Sequence, residues 1–365
     1  MTNFRFDIDP DITRAWTPPS NVYTDPALYE RFRERIFTRS WQLIGDVSNA
    51  RVPGQATPFT LLEGCLDEPL LLVRDESDQL RVISNVCTHR GNLVCEQGGV
   101  MNGLRCRYHG RRFGLDGSFV SMPEFETTRN FPAPTDNLPT LPLARLGPFL
   151  FTSLNPSLGF DEWIAPMRKR LEGLPMSDAK LDAARSRDYL VACNWALYCE
   201  NYLEGFHIPF VHAGLNQAID YGAYRTELFD HSSLQVGIGR GGDDVLTLLA
   251  SSPDHGQAVA GYYFWLFPNL MFNVYPWGVS INVVKPLGVE RTRASFVTYV
   301  WDPARLGQGA SADLDRVERE DESIVEAVQK GVRSRLYERG RYSPTRETGT
   351  HHLHRLLAAA LAQAN

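Results

Sequence analysis

Apolar residues first recur at helical spacing at Leu28, Phe32 and Ile36, behind Tyr23-Thr24-Asp25-Pro26. Thr24 or Asp25 as cap and a proline in the first turn predict a helix through about Thr38. From Trp41-Gln42-Leu43-Ile44 to about Asn155 the chain turns to short apolar runs broken by Gly, Pro and Asp, the pattern of strands. Leu70 to Val73, an acidic turn at Asp75 to Asp78, and Leu80 to Val86 read as a hairpin that delivers Cys87 at its end, and Phe113 to Phe119 reads as another. After Pro156 helical spacing returns, with Phe160, Trp163, Ile164, Met167, Leu171 and Leu174 on one face. A strand near Tyr189 to Ala192 leads into a helix over Asn194 to Phe206; strands follow from Glu227 to Tyr299, and a last long helix is expected from about Leu314 to Leu336. The expected fold class is α+β: an amino-terminal helical segment (1–40) packed on the catalytic part, an all-β domain (41–155), and a domain (156–365) whose antiparallel sheet curls around the long carboxy-terminal helix.

Two stretches invite other readings. Gly256 to Val284 holds no charged residue and is long enough to span a bilayer, but Pro268, Asn269, Asn273, Pro276, Gly278, Ser280 and Asn282 interrupt it, and its aromatics suit buried strands joined by a turn. Gly237-Ile238-Gly239-Arg240-Gly241-Gly242 matches G-x-G-x-x-G. A dinucleotide site needs a strand-turn-helix unit in a parallel sheet, whereas Asp243 to Leu248 reads as a return strand.

With 365 residues, 43% hydrophobic and 22% charged, the composition is that of a globular enzyme. A net charge of −6 without a Lys/Arg-rich run argues against a nucleic-acid partner. The polar, acidic amino end is no signal peptide, and no membrane association is expected; the predicted location is the cytoplasm. Six cysteines (Cys65, Cys87, Cys95, Cys106, Cys193, Cys199) make no dense disulfide pattern.

Two cysteines carry candidate chemistry. Cys87-Thr88-His89-Arg90-Gly91 and Cys106-Arg107-Tyr108-His109-Gly110 are two Cys-x(1–2)-His pairs, sixteen residues apart and each followed by a glycine. Two thiolates for one iron and two imidazoles for the other are the ligand set of a Rieske [2Fe–2S] centre. The order Cys, His, Cys, His does not fit the usual Cys2His2 zinc spacing. A second cluster lies in Glu200 to His212, where His207 and His212 are five apart and Glu204 precedes His207 by three. In a regular helix the two histidines would point about 140° apart, so Pro209 is expected to let the chain leave the helix. Two imidazoles and a carboxylate with positions left open form the facial triad of non-heme Fe(II) oxygenases.

On these motifs and on Glu-Asn-x-x-acid-x-x-His-x-x-x-x-His at Glu200 to His212, the chain resembles the α subunit of Rieske non-heme iron oxygenases over nearly its whole length. The resemblance implies a helix-grip catalytic domain, one Rieske [2Fe–2S] cluster on Cys87, His89, Cys106 and His109, and one mononuclear Fe(II) on His207, His212 and a later acid. Within Glu320-Asp321-Glu322 the family's pattern selects Asp321, leaving Glu320 and Glu322 as a solvated helix face. It also implies O2 and a small-molecule substrate as reactants, NAD(P)H used through a flavin or ferredoxin-type reductase, and a homotrimer that sets the cluster of one subunit beside its neighbour's iron. Glu204 stands where the commonest pattern has Asp, and this resembles the choline, carnitine and glycine-betaine branch; its expected role is to link His207 to a cluster histidine, His109, across that interface. The expected reaction is hydroxylation or oxidative N-demethylation of a quaternary ammonium compound, the alternative being an arene hydroxylase or aromatic O-demethylase. Tyr262, Tyr263, Phe264, Trp265, Phe267, Phe272, Tyr275 and Trp277 offer material for an aromatic cage, at least half of them being ordinary strand core. Arg90, Arg105, Arg107, Arg111 and Arg112 form an expected basic patch for an acidic redox partner, the alternative being that one or two of them form internal ion pairs. The triplet His351, His352 and His354 is read as structural.

Overall fold

The computed structural model describes residues 5–240, 244–308 and 314–362. It divides into two compact units, Thr38–Ser157 and Met1–Phe37 with Leu158–Asn365. Among the described residues no helix is long and apolar enough to cross a membrane.

The regular sheets of the Thr38–Ser157 unit are all antiparallel, and its only helical pieces among the described residues are short 3-10 turns. Its five-stranded sheet has the order Gly99–Val100, Gln55–Leu61, Glu68–Arg74, Leu80–Ser84, Thr140–Leu141. The apolar run Leu70 to Val73 is buried throughout because its two faces serve two cores. Leu71 and Val73 pack with Ala56, Ile83, Cys87 and Cys106. Leu70 and Leu72 pack with Leu61, Val82 and Leu150. Each such side chain contributes about 1.5–3 kcal/mol on burial. The expected hairpin is present, with Leu70 opposite Ser84 and Arg74 opposite Leu80. A three-stranded sheet, Leu104–Arg105, Arg112–Phe113 and Phe119–Ser121, frames the second Cys/His loop.

In the other unit, Asp25 caps α1 (Pro26–Arg35) by accepting from the Ala27 amide; the helix ends at Arg35, short of Thr38, and a 3-10 turn follows over Phe37–Arg39. Helix α2 (Phe160–Arg170) buries Phe160, Trp163, Ile164 and Met167. Then come α3 (Trp195–Tyr202), α4 (Ile208–Val211), α5 (Ala213–Ala218), α6 (Leu314–Gly331) and α7 (Thr348–Ala362). The sequence reading carried α6 on to Leu336 and made it the last helix; α7 is an addition, packed on α1, α3 and the strand Arg225–Phe229.

The sheet of this unit is antiparallel and eight-stranded, in the order Lys180–Leu181, Arg291–Val300, Gly278–Gly288, Leu270–Tyr275, Val259–Leu266, Ser232–Ile238, Arg225–Phe229, with Arg187–Val191 also on Arg291–Val300. The uncharged stretch is therefore strand, as its polar interruptions required. The described part of the expected return strand, residues 244–248, does not form one. Asp243 lies outside the described residues, as do Gly241 and Gly242; 244–248 are irregular, and the strand that pairs with Ser232–Ile238 is Val259–Leu266.

Candidate metal centres and active-site cavity

The two Cys/His loops are one turn built twice. Gly91 N–H donates to Cys87 O and Gly110 N–H to Cys106 O, both at 3.0 Å, while Cys87 N–H reaches Asn92 O and Cys106 N–H reaches Arg111 O. Closing these turns needs φ of +70° at Gly91 and +76° at Gly110, which glycine adopts without a steric penalty. The result buries both sulfurs' residues to 2% exposure and sets the His89 and His109 rings 4.7 Å apart. Phe125 packs edge-on against His89, and Tyr108 lies 3.7 Å from the His109 ring. Burial pushes the Cys87 thiol up. In Cys106 the same burial is outweighed by hydrogen bonds from Tyr108 N–H, the Cys87 thiol, His109 N–H and the Asn92 side chain, so its pKa lies below the ordinary thiol value. Donors aimed at a sulfur also raise the potential of a cluster it holds.

Of the five expected surface arginines, Arg90, Arg105, Arg107 and Arg112 are exposed, and Arg107 pairs with Glu96 at 2.7 Å. Arg111 is a correction. It is 2% exposed, bonded to Asp136 at 2.6 Å and stacked over Phe113, Phe119 and Phe131, because its position after Gly110 turns it back into the domain.

In the other unit α3 begins at Asn194, whose side chain accepts from Ala196 N–H, and it ends at Tyr202. The break therefore precedes Glu204, and Pro209, in the first turn of α4, starts a helix and does not end one. Glu204 sits in the connection and builds it. Its Oε2 accepts from the amides of Phe206 and His207, and its Oε1 lies 2.6 Å from His207 Nδ1. After one short turn, His212 caps α5 with its ring fully inside.

Both imidazole Nε2 atoms converge on Asp321 of α6. His212 Nε2 is 3.0 Å and His207 Nε2 3.5 Å from Asp321 Oδ1, and all three donors lie within 4.8 Å of one another. Donors about 2 Å from one ion stand roughly 4 Å apart at most, so this set fits a single cation with little movement. Each histidine is held from behind, His207 by Glu204 and His212 by Glu320 Oε2 at 2.8 Å, and Asn201 donates to Asp321 at 2.7 Å. Such outer partners fix tautomer and aim. Glu320 is thus misread as a solvated acid in the sequence; Glu322 is half-buried and touches neither histidine ring by a hydrogen bond. Burial opposes a charge on His212, but Asp321 and Glu320 outweigh it and raise its pKa. The histidine triplet lies elsewhere: His351 Nε2 is 2.8 Å from Asp9 O, and His354 lies 2.6 Å from Tyr342 and 3.0 Å from Glu200.

Beside this triad lies a cavity of about 120 Å³. Its sheet wall is set by register. Gln235, Tyr263, Asn273 and Ser280 stand opposite one another on four adjacent strands, and all four face the cavity. Of the eight aromatics offered by the sequence, Tyr263 and Tyr275 line it. Tyr262 turns the other way, to Asp254 and Arg170, and Trp277 stacks behind Tyr275 at 5.3 Å. The sequence reading missed Tyr198 and Tyr202 of α3, Tyr224 of a loop and Phe296 of the strand Arg291–Val300, which complete the wall. Burial raises the pKa of all five phenols, to about 12 at Tyr263, so the rings are neutral at pH 7. Gly205 makes the room: a Cβ there would lie 2.6 Å from the Tyr224 ring.

Comparison with known proteins adds the family. A profile described as "Ring hydroxylating alpha subunit (catalytic domain)" matches residues 176–363, and one described as "Rieske [2Fe-2S] domain" matches residues 40–132. This chain belongs to the Rieske oxygenase α-subunit family. The oxygenase is 32% identical to chloroplastic choline monooxygenase of Arabidopsis thaliana over 372 residues, covering 96% of this chain and 84% of that protein. It is 30% identical to the carnitine monooxygenase oxygenase subunit of Escherichia coli K12 over 360 residues, covering 94% and 93%. The crystal structure of the quaternary ammonium Rieske monooxygenase CntA with an inhibitor superposes with a TM-score of 0.78 at 25% identity, covering 96% of each chain. The family makes the oxygenase an oxidoreductase that carries a Rieske [2Fe–2S] cluster and a mononuclear iron. It takes O2, a substrate and electrons from a partner.

Proposed function

We propose that this oxygenase hydroxylates a C–H bond next to the nitrogen of a small quaternary ammonium compound; where that carbon is an N-methyl, loss of formaldehyde makes the net reaction an oxidative N-demethylation. The observation that carries the reading is the cavity beside His207, His212 and Asp321. Five neutral tyrosines line it, and no Lys or Arg does among the described residues. Ring faces attract a quaternary nitrogen, which forms no hydrogen bond of its own, by about 0.5–2 kcal/mol per contact. The relatives' names, choline and carnitine monooxygenase, point the same way.

In this reading Cys87, His89, Cys106 and His109 hold the cluster, and His207, His212 and Asp321 hold the mononuclear iron. When bound, these groups supply stored electrons and O2 activation. The chain does the rest. Glu204 and Glu320 keep the histidine protons on Nδ1, so both Nε2 lone pairs face Asp321. Asn201 fixes the rotamer of Asp321, and the tyrosines keep water from the reacting carbon. A carboxylate offers about four acceptor positions. Glu204, with its side chain 15% exposed, therefore retains capacity for His109 of the partner subunit in a closed ring of three. The exposed arginines Arg90, Arg105, Arg107 and Arg112 steer an acidic reductase or ferredoxin domain to the cluster.

Single-turnover product analysis of the chemically reduced protein tests this, with choline, carnitine, glycine betaine and simple arenes as substrates. Hydroxylated or demethylated product from an ammonium compound is expected. Arene diol or phenol as the sole product would contradict it.

A further inference from the structure

The cavity holds a third acid that neither histidine uses. Glu318 lies on α6 one turn before Asp321, which places it on the same helix face. It is 5% exposed and lines the cavity, and its Oε1 accepts a hydrogen bond from Tyr198 Oη at 2.6 Å. Glu204 and Asp321, the other carboxylates of the wall, are engaged with His207, His212 and Asn201. Glu318 has no cation of its own: no Lys, Arg or His pairs with it among the described residues. Burying a carboxylate without a counter-charge is costly, and the usual compensation is a pKa shift or a bound cation. Burial pushes Glu318 up to about 8.

We infer that Glu318 is the specificity-determining counter-charge of the cavity, and that it selects a substrate carrying a cationic nitrogen and no carboxylate. This rests on the quaternary ammonium reading and narrows it. A carboxylate a few bonds from the nitrogen would be shut in with Glu204, Glu318 and Asp321, and among the described residues no Lys or Arg lines the wall to receive it. Arg185, Arg187 and Arg319 line a second cavity that shares Ser280, Phe296 and Leu314 with the first. Two of these already pair, Arg185 with Asp182 and Arg319 with Asp315. An amino alcohol such as choline meets the acid-lined wall without this conflict, and Gln235, Asn273 and Ser280 offer its hydroxyl polar neighbours.

Isothermal titration calorimetry of the iron-loaded protein under nitrogen tests the assignment with choline, its neutral carbon isostere 3,3-dimethylbutan-1-ol, and glycine betaine. Removing one partner of a buried charge pair typically weakens binding by about 30-fold or more. Glu318→Gln should weaken choline by at least that factor and leave the isostere unchanged, and wild-type protein should bind choline at least about tenfold more tightly than glycine betaine. Equal choline affinity in Glu318→Gln and wild type overturns the inference. So does glycine betaine binding the wild type as tightly as choline, a comparison that needs no variant to fold. If the wild type binds neither cation but does bind toluene, the quaternary ammonium reading itself falls, and the inference with it.

Discussion

Replacing Glu320 by alanine removes the acid behind His212 and nothing else that touches the triad. Glu320 Oε2 lies 2.8 Å from His212 Nδ1, and its Oε1 takes only the exposed Arg316 at 2.9 Å. His212 is 1% exposed, so no water replaces the lost acceptor freely. Loss of such an outer partner lowers metal affinity about 10- to 100-fold, or about 1.4–2.7 kcal/mol. The desolvation penalty of one unpaired buried donor, about 1–3 kcal/mol, gives the same range. A second effect has the opposite sign. Glu320 helps to raise the pKa of His212, and a ligand histidine must be neutral, so the variant loses less to protons in acid. That advantage shrinks as pH rises, so measurement at pH 8 favours the orienting effect. Chelator-competition titration of Co2+ into protein with an intact cluster, at pH 8, reads the constant. Glu320→Ala should bind 10- to 100-fold more weakly, and Glu322→Ala as wild type; an unchanged Glu320→Ala, or equal losses in both, would refute the assignment.

The arginines near the cluster separate by burial. Arg111→Met breaks a buried pair with Asp136 and should destabilise this unit by about 3–5 kcal/mol in denaturant titration. Arg112→Glu should leave stability alone and slow reduction by the physiological partner but not by dithionite; equal slowing by both reductants would remove the docking role. Gly205→Ala drives a Cβ into the Tyr224 ring, an overpacking worth about 1–3 kcal/mol, and should raise KM at unchanged iron content. An unaltered KM would show that the ring does not shape the substrate site. Glu318 carries a pH signature: its folded pKa, about 8, lies above the ordinary 4.5, so the folded state holds the proton more tightly. Its contribution is fully present below pH 4.5 and lost as pH rises through 8, so Glu318→Gln should gain thermal stability over wild type between pH 5 and pH 8; parallel melting curves would contradict the shift.

What the sequence made legible was local. Each Cys/His pair and its glycine belong to a single turn, so spacing alone carried the geometry, and the 70–86 hairpin followed from its apolar runs and acidic turn. Face assignment was not legible in the residues from Gly256 to Val284. Those strands are buried on both sides, which erases the two-residue alternation, so Tyr262 and Tyr263 look alike until register places one on Asp254 and the other in the cavity. Tyr202 and Tyr224 reach the same wall from outside that stretch, and nothing local marks them. Among Glu318, Glu320 and Glu322, helical spacing alone does not say which oxygen meets a histidine more than a hundred residues away. The break at Leu203 was masked by Pro209, whose usual effect on a helix interior suggested a stop one turn too late.

Electrons stored at the cluster would pass through the site built on His207, His212 and Asp321 to O2, which oxidises the ammonium substrate. Stopped-flow mixing of the reduced protein with O2 and choline, with cluster absorbance and product measured in the same samples, tests this in wild type and Asp321→Ala. Wild type should re-oxidise its cluster as product forms, while Asp321→Ala should keep two irons per chain, stay reduced and make no product. Re-oxidation and product formation at the wild-type rate in Asp321→Ala would contradict the account.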